Sequence, residues 1–239
     1  MRKLIAAFAM ITSACDVMPA PTPSAGDVQV ASSEFPKAAR PVAPIVSSRW
    51  STEEARDRVE EADTVMDLAG ITPGMTVADI GAGEGYYTIR LSQRVGPSGR
   101  VLAQDIMQDV ITKLGDRVTR ENLDNVSVKL GEPADSKLPA NSFDRIFMVH
   151  MYHEVEAPFE FLWRLRPSLR VGGRVIIVDA NRQTSEHGTP PALLKCELAQ
   201  VGFRQIEFHD MPKIGGYLAA FEASGKRPGP RQIKTCKQD

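Results

Sequence analysis

Between Thr76 and Val95 the chain passes from an apolar strand pattern into a helix pattern through Asp79-Ile80-Gly81-Ala82-Gly83-Glu84-Gly85, with no linker on either side. A glycine-rich joint of this kind lets a strand turn sharply into the N-terminus of a helix, where backbone N–H groups gather and a ligand can approach closely. It commits the chain to a parallel sheet with crossover helices, and the flanking sequence agrees. Strand patterns at Thr76–Ile80, Arg100–Gln104, Val126–Leu130, Phe143–Val149 and Arg174–Asp179 alternate with helix patterns at Ala55–Ala69, Tyr86–Val95, Met107–Glu121, Ala157–Leu169 and Pro190–Val201. Ser51 with Glu54 forms a capping box at the start of the first helix. Val175-Ile176-Ile177-Val178 is apolar throughout and so is expected to be buried on both faces. The last two strands, Arg204–Asp210 and Tyr217–Ala223, are joined by a few residues around Pro212 and Gly215-Gly216, a link short enough to force an antiparallel pair.

The loop also restricts the ligand. Its spacing is G-x-G-x-G, since Tyr86 stands where a dinucleotide fingerprint has its third glycine, and no Gly-Lys-Ser/Thr follows to make a phosphate loop. From Thr76 to Ile89 there is no Lys or Arg, whereas Asp79 and Glu84 supply two carboxylates. Negative charge near the loop opposes a pyrophosphate and tolerates a phosphate-free or cationic nucleoside. Asp105 follows Gly85 by 20 residues at the end of the second strand, the place for a carboxylate that accepts hydrogen bonds from ribose hydroxyls.

With these motifs the chain, from about Ser51 to Ser224, resembles the class I S-adenosylmethionine-dependent methyltransferases. Val77 to Tyr86 is similar to the family's first motif. Gly131-Glu132-Pro133-Ala134-Asp135, with Leu138-Pro139 and Asn141-Ser142-Phe143-Asp144, is similar to a stretch in the methyltransferases of ubiquinone and menaquinone biosynthesis, and Leu169 to Arg174 to the turn before their fifth strand. The resemblance implies an α/β, Rossmann-like doubly wound sheet of seven strands, mostly parallel with a C-terminal antiparallel hairpin and helices on both faces. It implies S-adenosyl-L-methionine as cofactor. Asp79, Gly81, Ala82, Gly83 and Gly85 would surround the methionine tail, Asp105 would hold the ribose, and Glu132 or Asp135 would meet the adenine amino group. Ile106 and His150 belong to the same expected binding set.

After the fourth strand comes His150-Met151-Tyr152-His153-Glu154, where an acceptor would approach. His153 is expected to accept a proton and Tyr152 to orient the acceptor, with Glu154 beside His153. The alternative is that His150 packs at a strand end while His153 and Glu154 cap the next helix. Arg182, Glu186 and His187, after the fifth strand, border the acceptor side or are plain surface. Methyl transfer from a sulfonium needs no metal, and no metal-ligand set is read from the sequence. The expected acceptor is a small molecule or lipid-like.

Charge and the chain ends complete the reading. With 29 basic and 30 acidic side chains, the 239 residues carry no field suited to nucleic acid. Cys15, Cys196 and Cys236 are too few for a disulfide scaffold or a zinc knuckle. Met1-Arg2-Lys3, an apolar run of about ten residues and Thr12-Ser13-Ala14-Cys15 make residues 1–14 a secretory signal, similar to a bacterial lipoprotein signal that would end at a lipidated Cys15. A misassigned start at Met1 is the alternative, and the protein is then cytoplasmic. Six of the 17 prolines fall between Asp16 and Ser48, so 15–48 reads as an extended tether. The domain then spans 49–224, and 225–239 reads as a frayed basic tail.

Overall fold

A computed structural model describes residues 30–45 and 52–238 of the chain. The signal, Cys15 and Ser51 lie outside them. Residues from Ser32 onward form one unit; of the separate unit Met1–Ala31 only Val30 and Ala31 are described.

The strands form where apolar, β-branched runs demand burial. They are β1 (Thr76–Ile80), β2 (Arg100–Asp105), β3 (Val126–Leu130), β4 (Phe143–Val149), β5 (Leu169–Ala180), β6 (Phe203–Met211) and β7 (Gly216–Ala223). They pair in the order β3-β2-β1-β4-β5-β7-β6. β1, β2, β3, β4 and β5 are mutually parallel, whereas β7 runs antiparallel to both β5 and β6. The chain order reverses on either side of β1, so a crevice opens between β1 and β4 at their carboxyl ends, where such sheets take ligands.

The helices are α1 (Glu53–Arg58), α2 (Glu61–Leu68), α3 (Tyr86–Val95), α4 (Gln108–Arg120), α5 (Pro158–Leu165) and α6 (Pro191–Gln200). Consecutive residues of β1 from Val77 to Ile80, and of β5 from Val175 to Ala180, are buried, which requires cover on both faces of the sheet. One layer consists of Val65, Met66 and Ala69 after and within α2, with Tyr87 and Leu91 of α3, packed on Val77, Val101, Phe147 and Ile176.

Three expectations fail. The single helix expected over Ala55–Ala69 is broken at Glu60, which takes a left-handed φ of 56° between α1 and α2. The break turns Glu61 inward to meet Arg56, and Thr52 caps α1 by accepting from the Ala55 N–H. The tether expected over 15–48 is docked from residue 32 to 45. Arg40, its side chain fully buried, pairs with Glu197 of α6 at 3.0 Å and donates to the carbonyls of Tyr152, His153 and Val155. Proline-rich composition imitates a linker, but the Arg40–Glu197 pair, the carbonyls Arg40 binds, and the Phe35–Trp163 ring contact hold the segment. The tail expected to fray is also packed: Cys236 is disulfide-bonded to Cys196 of α6, Arg227 lies over the Trp163 ring, and Lys237 bridges to Ala39 of the docked segment.

Candidate active site

The loop after β1 is shaped by its glycines. Gly81, Gly83 and Gly85 take φ of +67°, +54° and +92°, conformations that side-chain-bearing residues resist. A Cβ on Gly85 would lie 2.5 Å from Leu114 of α4, so this glycine lets the start of α3 approach its neighbour. Around Gly83, by contrast, a Cβ would meet nothing within 4 Å: the loop faces open space. That space is a cavity of about 590 Å³, a size suited to a nucleoside-bearing cofactor with room for a second molecule.

The carboxyl end of β2 forms one wall. Asp105 accepts from the Gly83 N–H (3.1 Å) with one oxygen and from the Met107 N–H (3.0 Å) with the other, which fixes the carboxylate and leaves lone pairs toward the cavity. Ala82, Ile106 and Met107 add apolar surface beside it. Gln104, also on the wall and 1% exposed, carries a buried Nε2 with no hydrogen-bond partner. A buried donor left without a partner costs about 1–3 kcal/mol unless a ligand meets it. The sequence signal for Gln104 is an amide that directly follows the apolar Val101-Leu102-Ala103 and precedes Asp105 at the carboxyl end of β2.

Charge on the walls is one-sided. Glu54, Glu84, Asp105, Glu154 and Glu156 line the cavity against a single guanidinium among the described lining residues, Arg56, while Glu53, also on the wall, is held by Arg117 at 2.5 Å and Arg90 at 3.4 Å. Arg56 is itself neutralised: it bonds Glu61 at 2.6 Å and stacks 3.8 Å over the Tyr86 ring. His150, with a left-handed φ of 54°, lines the cavity and lies 3.3 Å from Glu61. Burial alone would raise the Glu61 carboxyl, but hydrogen bonds from His150 and Arg56 outweigh it and bring it down to about 2. An acidic cavity favours a cationic ligand.

Asp79 is placed otherwise than expected. It is buried beneath the loop, outside the cavity lining, where it accepts from Thr88 Oγ1 at 2.6 Å. Burial, with Asp105 nearby, pushes its carboxyl up to about 6. Its geometry supports the loop rather than a ligand. Glu132 and Asp135 do not line the cavity either. Their backbones bridge each other across a tight turn and both carboxylates hold Lys137, at 3.3 and 3.2 Å, while the turn presents Pro133 to the cavity.

The acceptor side also differs from expectation. Residues Tyr152–Glu154 form a single 3₁₀ turn that sends successive side chains in different directions. Tyr152 is fully buried away from the cavity and donates to Glu197 Oε2 at 2.7 Å. Burial, with Glu197 beside it, drives its hydroxyl pKa well above the ordinary value, so the hydroxyl keeps its proton, and its position away from the cavity takes it out of reach of an acceptor. His153 is buried behind the wall, with Nδ1 3.0 Å from Asp179 Oδ1. Glu154 is the member of the trio that lines the cavity, together with Met151, Val155 and Phe161.

Residues 71–202 match the family described as "Methyltransferase domain". The chain belongs to this methyltransferase family. The methyltransferase from Aquifex aeolicus, a solved S-adenosylmethionine-dependent enzyme, is 26% identical and superposes with a TM-score of 0.64 over 70% of this chain and 91% of that one. The ubiquinone/menaquinone biosynthesis C-methyltransferase of Hydrogenovibrio crunogenus is 28% identical over 160 residues, 66% of this chain and 59% of that protein. The arsenite methyltransferase of Halobacterium salinarum is 32% identical over 115 residues, 47% of this chain and 29% of that protein. The chain thus spans about three fifths or less of these two curated relatives. Membership implies S-adenosyl-L-methionine as the cofactor of the methyltransferase domain. The residues present fit it: an open glycine cradle, a fixed carboxylate at the end of β2, an unpartnered Gln104 amide and acidic walls for a sulfonium and an ammonium group.

Proposed function

We propose that this chain transfers a methyl group from S-adenosyl-L-methionine to a small or lipid-like acceptor, outside the cytoplasm. The acidic cavity at the β1–β2 carboxyl ends is the observation that carries the reading. The bound cofactor supplies an electrophilic methyl on a sulfonium, and the chain's own residues bind and orient. Asp105 accepts from the ribose hydroxyls, Gln104 donates to the nucleoside, and the carboxylates of the wall offset the positive charge. Much of the acceleration then comes from holding the acceptor in line with the methyl group, which requires no protein nucleophile. Apolar Ile45, Met151, Val155 and Phe161 line the acceptor side and favour an apolar acceptor.

Export is supported by the signal-like residues 1–14 and by the Cys196–Cys236 disulfide, since such bonds persist in oxidising compartments. No described helix is long and apolar enough to cross a membrane; the lipoprotein-like signal ending at Cys15 supports a lipid anchor there. The same disulfide favours a second reading, a tethered protein that binds the cofactor without turnover, because S-adenosylmethionine is made in the cytoplasm. Incubating full-length protein with methyl-labelled S-adenosylmethionine and a cell-envelope lipid extract separates them. Label entering the organic phase, lost in Asp105→Ala, supports transfer. Cofactor binding with no label transferred supports the second reading. Intact mass of the membrane-fraction protein tests the anchor: an unmodified chain beginning at Met1 refutes it.

A further inference from the structure

The 3₁₀ turn Tyr152–Glu154 and the loop after β5 bring together three side chains far apart in sequence. His153, Glu154 and His187 each offer a ligand atom, all within 4.8 Å of one another. His153 Nε2 stands 4.0 Å from Glu154 Oε1, and the two imidazole rings meet edge to face with centroids 5.4 Å apart.

We propose that His153, Glu154 and His187 bind a divalent first-row transition ion, with zinc the closest chemical match, at the edge of the cavity. Two imidazoles and one carboxylate form the N₂O donor set of a site that keeps a position for water or substrate. What distinguishes the trio from a chance cluster is the group behind it. Asp179, fully buried at the end of β5, receives hydrogen bonds from Thr189 Oγ1 (2.7 Å) and the Ala180 N–H (2.8 Å), and its oxygens lie 3.0 and 3.1 Å from His153 Nδ1. With the carboxylate facing Nδ1, Nε2, 4.0 Å from Glu154, is the nitrogen left to ligate an ion. This is the arrangement that orients a metal-ligating histidine.

The backbone is held as firmly. Arg40 donates to the carbonyls of Tyr152, His153 and Val155, and the Ala43 N–H donates to His153 O at 3.2 Å, so the turn is pinned by the docked N-terminal segment. With bonds of roughly 2.1 Å, the ligand atoms of a tetrahedral zinc stand roughly 3.4 Å apart. The ligand atoms here, within 4.8 Å of one another and 4.0 Å apart for His153 and Glu154, reach that spacing by side-chain adjustment of the partly exposed Glu154 and His187. Because Glu154 also lines the cavity, the ion is reached from there, and its free position suits an oxygen or sulfur donor of an acceptor.

The test is titration of tag-free, chelator-dialysed full-length protein with zinc chloride by calorimetry, and with cobalt chloride by visible absorption, in the absence of S-adenosylmethionine. Omitting the cofactor keeps the outcome separate from that of the methyl-transfer reading. One zinc per chain should bind in the micromolar range or tighter, and cobalt should give the absorption of a four- or five-coordinate site. His187→Gln and Glu154→Gln should each weaken zinc at least tenfold, and Asp179→Asn about 10–100-fold through loss of the orienting carboxylate. His209→Gln, on β6, should bind as wild type. Should the buried Asp179 variant not fold, the half-buried Glu154 variant carries the test. The absence of stoichiometric zinc at 100-fold molar excess, or equal affinity in the His187 and Glu154 variants, overturns the proposal.

Discussion

The Cys196–Cys236 disulfide closes a loop of 40 residues that includes all of β6 and β7. In the chain-entropy picture, closing a loop of that length removes denatured-state freedom worth about 4 kcal/mol at 25 °C. Near the bond in the native state, Ile233 and Cys236 are buried and Lys237 bridges to Ala39 next to the buried Arg40. The double variant Cys196→Ser/Cys236→Ser should therefore lose about 4 kcal/mol. With a urea slope of about 2–3 kcal/mol/M, that displaces the unfolding midpoint by roughly 1.3–2 M. Urea unfolding followed by far-UV circular dichroism measures it, with wild type in excess reductant as the control expected to coincide with the variant. Equal midpoints for oxidised wild type, reduced wild type and variant would refute the reasoning, since they would mean that the bond constrains nothing.

Three further outcomes follow from buried charge and from the loop. Removing the guanidinium in Arg40→Met leaves Glu197 buried beside Tyr152 without its cation, and stability at neutral pH should fall by about 3–5 kcal/mol, read by thermal or urea unfolding. Glu61, held down to about 2 from an ordinary 4.5, stabilises the fold by about 3 kcal/mol above pH 4.5, and this is lost as the pH falls through about 2. Unfolding free energy in Glu61→Gln should accordingly be lower than wild type at pH 7 and flatter between pH 5 and 2.5; a parallel pair of curves would show that the carboxylate is not so held. Gly85→Ala places a Cβ 2.5 Å from Leu114 at a φ of +92°, so it should cost more than about 2 kcal/mol and weaken the cofactor, whereas a neutral result would contradict the loop geometry.

The strands were legible because an apolar run such as Val175–Val178 satisfies only a strand buried on both faces, and the reversal at Pro212–Gly216 leaves only an antiparallel pair. The cofactor side was partly legible. Glycines at left-handed positions and a carboxylate at the end of β2 follow from local rules, and Gly81, Gly83 and Asp105 stand where the spacing puts them. The depth of Asp79 is not legible, because the sequence shows a carboxylate near the loop but not that it is buried. The acceptor side resisted for a different reason: a one-turn 3₁₀ segment rotates Tyr152, His153 and Glu154 by unequal amounts, so neighbours in sequence face a buried ion pair, a buried carboxylate and the cavity in turn. The docking of residues 32–45 and of the C-terminal segment is not legible in the sequence because the partners lie far away. Arg40 needs Glu197, 157 positions on, and Cys236 needs Cys196, and nothing in a proline-rich composition announces either.

The central claim is that the acidic cavity at the end of β1 and β2 binds S-adenosylmethionine through Asp105. Calorimetric titration of the full-length chain with S-adenosylmethionine, repeated on Asp105→Ala, tests it most directly. One cofactor per chain, with affinity at least roughly tenfold weaker in the variant as expected for the loss of charge-assisted hydrogen bonds to the ribose, is the predicted result. No heat of binding at millimolar cofactor, or the same affinity in both proteins, would contradict it.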